Sequence, residues 1–458
     1  MDHAVEFLDP NSEMIALATG SNTRNVLVIA LEIRGPLNEE LAKVAVAKAV
    51  KAFPQLQSCL RETRTNLRHR LYWHPRPDLE FPVTLSDLKT YEMSTPLLEA
   101  VLNRLAPSLD RDWDLRKELP GELHLFRVST DFHVVALVVH HAAFDGASAS
   151  ELGRSCVLNY KEMVEGARPD SSATQPYALS TSRKRTVTAR KRTWKDKYYT
   201  ARLALMPVIS RPTLPAGNGL PTEKRQYHIK RNLTVEETTR IGLTSLKKRG
   251  AFIDLLTAAS SLAIERWNDR RNVKTGVVTT ALTMNIRGRY EEFDHSNSVS
   301  ALFFETRPEH RRDRDKLVHS ISVARINQLR RQMDLMHYDN VAKMIRWASV
   351  LSFNKRQKIV HRIVQRHQFS MAITLLGVVW PEIENGKPTL DSYPTTVGDG
   401  QITEMHGIGY KLIGSTPLVL TVYSYRNRLN LVMAVSGWQL TRPEAESFMD
   451  LFMETLRC

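Results

Sequence analysis

The chain has 458 residues, 42% of them hydrophobic and 25% charged, with a formal net charge of +15. This composition excludes a disordered or fibrous chain, and the length allows two or three folded domains. No run of about 18 apolar residues occurs, which excludes a membrane-spanning helix.

Residues 1–6 lack a basic region followed by an apolar stretch, so no signal peptide is expected. The three cysteines, Cys59, Cys156 and Cys458, have no metal-like spacing. So sparse a set forms no disulfide framework and suits a reducing cytoplasm.

In chain order, residues 27–33 read as a strand. Leu37, Leu41, Val44, Ala45, Ala49 and Ala52 then recur at steps of three or four, which predicts an amphipathic helix ended by Pro54. Residues 55–61 and 71–73 read as strands of a hairpin, and residues 97–105 as a helix. Residues 121–128 and 132–140 read as adjacent strands. The second of these contains Val134-Val135-Ala136-Leu137-Val138-Val139, the pattern of a strand buried on both faces. Leu152, Cys156, Tyr160 and Met163 form the stripe of a further helix. Strands and helices alternate without a strict βαβ rhythm, which favours a mixed sheet with flanking helices.

Residues 168–223 are rich in Pro, Ser, Thr and basic side chains, with eight Lys or Arg and one Asp between Arg183 and Lys197. This reads as a basic linker, with a helix near residues 194–205. Residues 1–167 then form one unit and residues 224–458 a second. In the second unit Thr234 and Glu237 make a capping box. Helix is expected over 252–268 and across the basic region 312–367. Strands are expected over 277–283, 299–306, 369–376, 418–425 and 429–436, the last two as a hairpin. Thr441 and Glu444 cap the final helix.

The most informative segment follows the apolar strand: His140-His141-Ala142-Ala143-Phe144-Asp145-Gly146. Two histidines at the mouth of a buried strand are poised for proton chemistry near neutral pH. Asp-Gly is a turn signal. Strand alternation turns His140 and His141 to opposite faces. Ser148 is expected to cap the following helix.

The segment has the form HHxxxDG. It resembles the signature of the acyltransferase superfamily that includes chloramphenicol acetyltransferase, alcohol and polyketide-associated acyltransferases, and the condensation domains of nonribosomal peptide synthetases. Asp112-Trp113-Asp114-Leu115 before the motif strand is similar to the family's sequence. So is Asn285-Ile286-Arg287 with Asn297-Ser298-Val299-Ser300 in the second half. The family's late Ser-Asn-Leu-Gly stretch is matched only by Thr374-Leu375-Leu376-Gly377, and the plant-type Asp-Phe-Gly-Trp-Gly is absent. No carrier or adenylation domain is recognisable, so a free-standing enzyme is expected.

The resemblance implies an α/β fold of two chloramphenicol-acetyltransferase-like lobes with mixed sheets, forming a V around a central channel. It implies acyl transfer from a thioester donor, either acyl-CoA or a phosphopantetheinyl carrier-protein thioester, to an alcohol or amine. Such chemistry belongs to natural-product or lipid biosynthesis. His141 is then the general base, with His140 as structural support. Asp145 is held in an ion pair by Arg287, and Gly146 leaves room for a passing acyl or pantetheine arm. Thr374 is a candidate oxyanion donor. No metal or resident cofactor is implied, and the expected form is a monomer.

The basic surface suits coenzyme A or an acidic acyl or peptidyl carrier protein. A nucleic-acid partner is not expected, because the basic residues are scattered and no reader motif accompanies them. Two other readings stay open: an enzyme strictly dependent on a carrier protein, and a non-catalytic scaffold relative, although the intact motif opposes the latter. Asp399, Glu404 and His406, beside the Gly398–Gly400 turn, read as ordinary turn chemistry or as lining of an acceptor channel.

Overall fold

In the computed structural model, residues 6–18, 25–88, 96–166, 193–194, 196–198, 201–202, 211–223, 225–287, 297–384, 387–392, 396–397, 399–409 and 416–458 are described. The linker reading therefore falls mostly outside the described residues, as does much of the helix expected near residues 194–205.

The first half supplies β1 (Glu6–Phe7), α1 (Pro10–Ala18), β2 (Val26–Arg34), α2 (Glu39–Lys51), β3 (Ser58–Thr65), β4 (Arg68–Pro75), β5 (Val83–Asp87), α3 (Leu97–Asp110), β6 (Gly121–Ser129), β7 (Phe132–His140) and α4 (Gly146–Glu165). The second half begins with β8 (Gln226–Asn232), α5 (Val235–Lys247), α6 (Phe252–Asp269), β9 (Val278–Asn285), β10 (Val299–Thr306) and α7 (Pro308–Arg311). The basic region becomes α8 (Arg314–Arg330), α9 (Met333–Ala348) and α10 (Phe353–Arg366). Then follow β11 (Met371–Val378), β12 (Pro381–Glu384), β13 (Lys387–Ser392), β14 (Thr396–Val397), β15 (Gly400–Gly409), β16 (Leu418–Tyr425), β17 (Arg428–Ser436) and α11 (Arg442–Arg457).

Two six-stranded mixed sheets organise these elements, in the orders β14-β15-β2-β7-β6-β5 and β10-β9-β11-β16-β17-β8. β7 lies between β2 and β6, antiparallel to both. Its Val134, Ala136, Leu137, Val138 and Val139 are buried, which explains the unbroken apolar run. Burying each larger side chain contributes about 1.5–3 kcal/mol. A charge at the fully buried Val138 would break the strand.

The sheets are not divided as the chain is. β15 pairs with β2 along eight residues, from Gln401 opposite Arg34 to Gly409 opposite Leu27. A strand from residues 224–458 thus completes the sheet of residues 1–167, which a division near residue 224 does not anticipate. α1 returns the exchange: its Ile15 and Leu17 share a core with Val341 and Ile345 of α9 and Val360 and Val364 of α10.

The fully buried Arg356 of α10 pairs with Glu13 of α1, and its Nη2 donates to Glu62 Oε1 of β3 at 2.8 Å. A guanidinium so far from water is stable only with such carboxylates around it. Among the described residues, no helix is long and apolar enough to cross a membrane.

The second sheet has two unlike faces. Leu282, Ile373, Leu420 and Val422 join Leu256 of α6 and Phe448 of α11 in one core. The alternate side chains Thr283, Thr374, Val419 and Thr421 are small, and they face a cavity rather than a helix layer. Thr374 stands opposite Thr421, and Thr283 follows the partner of Ile373, so three hydroxyl side chains lie in a row.

Candidate active site

The end of β7 is pinned before any side chain acts. The His140 amide donates to the Pro120 carbonyl at 2.8 Å and the His141 amide to the Asn25 carbonyl at 2.6 Å. The Ala143 amide closes a turn onto the His140 carbonyl at 2.9 Å. α4 then begins at Gly146 with Asp145 as its N-cap, whose Oδ1 accepts from the Ser148 amide at 3.0 Å. This corrects the expectation that Ser148 caps the helix: Asp145 does so, because it is the residue with extended backbone just outside the first turn. The Ser148 hydroxyl instead accepts from Arg287 Nη2 at 2.7 Å.

The two histidines have different surroundings. His140 is fully buried, its ring centroid 6.2 Å from that of Trp113, and its Nδ1 accepts the Ala142 amide at 3.1 Å. Burial, aided by the neighbouring His141, pushes its pKa down to about 3, so it stays neutral. It does not line the cavity, whereas His141 does.

His141 Nδ1 lies 2.9 Å from Asn297 Oδ1. The amide's orientation follows from its partners, because Asn297 Nδ2 donates to the His141 carbonyl at 2.7 Å and to Ser12 Oγ at 2.8 Å. Its oxygen therefore faces the ring, Nδ1 carries the proton, and Nε2 keeps its lone pair. No protein hydrogen bond to Nε2 occurs among the described residues. Burial lowers the His141 pKa, with its own carbonyl, Asp145 and Asn297 opposing. Neutral imidazole is thus the resting form near pH 7.

Asn297 is held in turn by α1, where Asn11 Nδ2 donates to its carbonyl at 3.0 Å. Neither Asn297's contact with His141 nor α1 was assigned a function from sequence. In the sequence Asn297 stands only within the Asn297-Ser298-Val299-Ser300 stretch that resembles the family.

Asp145 and Arg287 are brought together across the two halves, with Arg287 Nη1 2.8 Å from Asp145 Oδ2. The Ser298 amide also donates to that oxygen, at 3.1 Å. Burial opposes ionisation of Asp145, but Arg287 and these hydrogen bonds outweigh it and hold the carboxyl below the usual range. Both side chains are almost fully buried, so the pair is a fixed tie and not a mobile acid.

These groups border a cavity of about 300 Å³. Met14, Ile15, Leu27, Ile29 and Ile408 give it apolar walls, and Thr374 lines it as well. Gly146 also faces it, yet the room left by its missing side chain is filled: a Cβ there would lie 2.6 Å from Leu376 Cδ2. None of Asp399, Glu404 and His406 lines this cavity. His406 and Glu404 are instead tied into an ion network with Glu32 and Lys230. Among the described residues no group of three or more His, Cys, Asp or Glu could hold a metal ion.

The condensation-domain family model matches residues 16–294. Surfactin synthase subunit 2 of Bacillus subtilis (strain 168) is 23% identical over 291 residues, 61% of this chain and 7% of that protein. The isonitrile lipopeptide synthase of Mycobacterium tuberculosis (strain ATCC 25618 / H37Rv) is 26% identical over 144 residues, 31% of this chain and 6% of that protein. The chain thus spans only a small part of these curated relatives.

Among solved structures, the trichothecene 15-O-acetyltransferase TRI3 of Fusarium sporotrichioides aligns with a TM-score of 0.70 at 12% identity, covering 99% of this chain and 94% of that one. A variant of the starter condensation domain of rhizomide synthetase RzmA, in complex with C8-CoA, aligns at 0.64 with 14% identity, covering 99% and 94%. The first condensation domain of the CDA synthetase aligns at 0.63 with 13% identity, covering 100% and 96%. At such identities these structures establish the two-lobed fold. With the family model covering more than half of its length, the chain belongs to the condensation-domain family.

Proposed function

We propose that this condensation-type domain transfers an acyl group from a thioester to a hydroxyl or amine, with His141 as general base. The observation that carries the reading is the geometry of one ring: His141 lines the cavity, its Nδ1 lies 2.9 Å from Asn297 Oδ1, and no protein hydrogen bond to Nε2 occurs among the described residues.

An alcohol is a poor nucleophile near neutral pH, and an amine attacks only as its free base, which must lose a proton as the amide forms. Nε2 takes the acceptor's proton as its oxygen or nitrogen attacks the thioester carbonyl. The tetrahedral oxyanion then collapses, the carbon–sulfur bond breaks, and the imidazolium returns the proton to the leaving sulfur. Thr374, whose side chain lines the same cavity, is the candidate donor to the oxyanion. Asp145 takes no proton in this scheme, because Arg287 keeps it ionised and in place. Its charge also favours the imidazolium that forms.

The donor is an acyl-CoA or an acylated carrier protein, and both are anionic partners for a chain of net charge +15. The C8-CoA complex of the rhizomide starter domain favours the first, and the synthetase relatives favour the second.

Release of free thiol from each donor type, followed with a panel of amines and alcohols, tests the proposal. Turnover with one donor class is expected, with His141→Ala slower by about 10² to 10⁴. No thiol release from any donor contradicts acyl transfer, and an unchanged rate in His141→Ala contradicts the base.

A further inference from the structure

We infer that Leu376 sets the size of the donor acyl group, acting as an apolar wedge that closes the cavity between the two lobes. The inference rests on the acyl-transfer reading above.

Leu376 follows Ala372 and Thr374 on the cavity face of β11. There the ladder with β16 slips: Leu375 pairs with Val422 and Gly377 with Tyr423, leaving Leu376 as the extra residue. A bulge re-aims the side chain it carries. Gly377 makes the bend possible, with φ +76°, a region open to glycine at little cost. The isobutyl group so projected lies against two glycines of the other sheet's unit. A Cβ at Gly146, next to Asp145, would be 2.6 Å from Leu376 Cδ2, and one at Gly407 of β15 would be 3.5 Å from Leu376 Cδ1. The wedge therefore spans from the head of α4 to β15, along the wall of the cavity that His141 also lines.

The backbone behind the wedge is anchored. The Val379 amide donates to the Ser424 carbonyl at 2.9 Å. The buried Trp380 crosses to the first lobe, where its Nε1 donates to the Ser150 carbonyl at 2.7 Å. Its ring packs over Gly153, where an added Cβ would come within 3.3 Å. With β11 on one side and Trp380 on the other, Leu376 yields only by turning its side chain. A donor larger than the space left by the wedge must displace those methyl groups, and one methylene in an apolar pocket changes discrimination by about 10–200-fold.

The test compares saturated acyl-CoA thioesters, from butanoyl to dodecanoyl, on wild type and Leu376→Ala. The ratio of kcat/KM for dodecanoyl over butanoyl is expected to rise at least about tenfold in the variant. A smaller rise overturns the inference. Leu376→Met, which keeps the side chain's bulk, is expected to leave the ratio near that of wild type, and it stands in for the same comparison if the alanine variant misfolds. There, a ratio shifted as far as expected for alanine overturns the inference.

A second readout does not need turnover. Calorimetric binding of the same thioesters to His141→Ala, with and without Leu376→Ala, is expected to show the same change in length preference. If wild type releases no thiol but this preference shifts, the acyl-transfer reading fails, and Leu376 limits the length of a bound acyl chain without setting that of a transferred one. If wild type is active and no preference shifts, the wedge fails alone.

Discussion

Two buried histidines invite comparison, His141 at the head of α4 and His406 on β15. Each has a carboxylate or amide partner, and in each burial lowers the pKa against opposing partners. They differ in what remains for a substrate. His406 Nε2 lies 2.7 Å from Glu32 Oε1, and its Nδ1 lies 3.1 Å from Lys230 Nζ, so both nitrogens are engaged. Lys230 also donates to Glu404 Oε2 at 2.6 Å, tying β8 to β15. The cluster is richer in ionisable groups than the surroundings of His141, yet none of its residues lines the cavity that His141 borders, and it works as a clasp between lobes. His141 spends one nitrogen on Asn297 and offers the other to a cavity. A free lone pair with access, and not a density of charged residues, separates a candidate base from a structural histidine.

Several variants sharpen this contrast. If Thr374 donates to the oxyanion, Thr374→Val lowers kcat by about 10² to 10³ with the thermal midpoint little changed, as steady-state thiol release would record. Arg287→Met leaves the Asp145 carboxylate buried without its cation and should cost about 3–5 kcal/mol of stability, read by urea unfolding. Lys230→Met should cost less, since Glu404 retains partial exposure to water. Asn297→Ala frees the His141 ring and is expected to lower kcat by about 10–100-fold, the size of loss seen when the hydrogen-bond partner orienting a metal-bound histidine is removed. Its KM should move far less, whereas a purely structural lesion would appear as loss of folded protein.

The pH profile carries the mildest expectation. Because the base must be neutral, activity is lost as pH falls through its folded pKa. Burial puts that pKa below 6.5, so the acid limb of kcat/KM should have its midpoint below pH 6.5. A midpoint above that value would mean that His141 is more exposed than described, or that another group is the base.

The contiguous parts of the site were legible in the sequence. β7 declares itself by six apolar residues in a row, and the motif follows it without interruption. Arg287 was reachable through the family resemblance alone. Asn297 was visible but mute, because its meaning depends on a contact with a residue 156 positions away. α1 leaves no periodic signature in the sequence: it is nine residues long, too short for a repeating stripe, and most of its residues are buried. β15 has no strand expectation in the sequence, which shows only the turn at Gly398–Gly400 there; Gly400, Gly407 and Gly409 weaken any strand pattern over the segment. The β11 bulge has no sequence mark beyond Gly377, so Leu376 read as an ordinary strand residue.

The central claim is tested most directly by measuring thiol release from one accepted thioester by wild type, His141→Ala and His406→Ala, each normalised to folded protein by circular dichroism. The account predicts a loss of about 10² to 10⁴ for His141→Ala. It also predicts a rate near that of wild type for whatever fraction of His406→Ala folds. Equal losses in both variants, or none in His141→Ala, would contradict it.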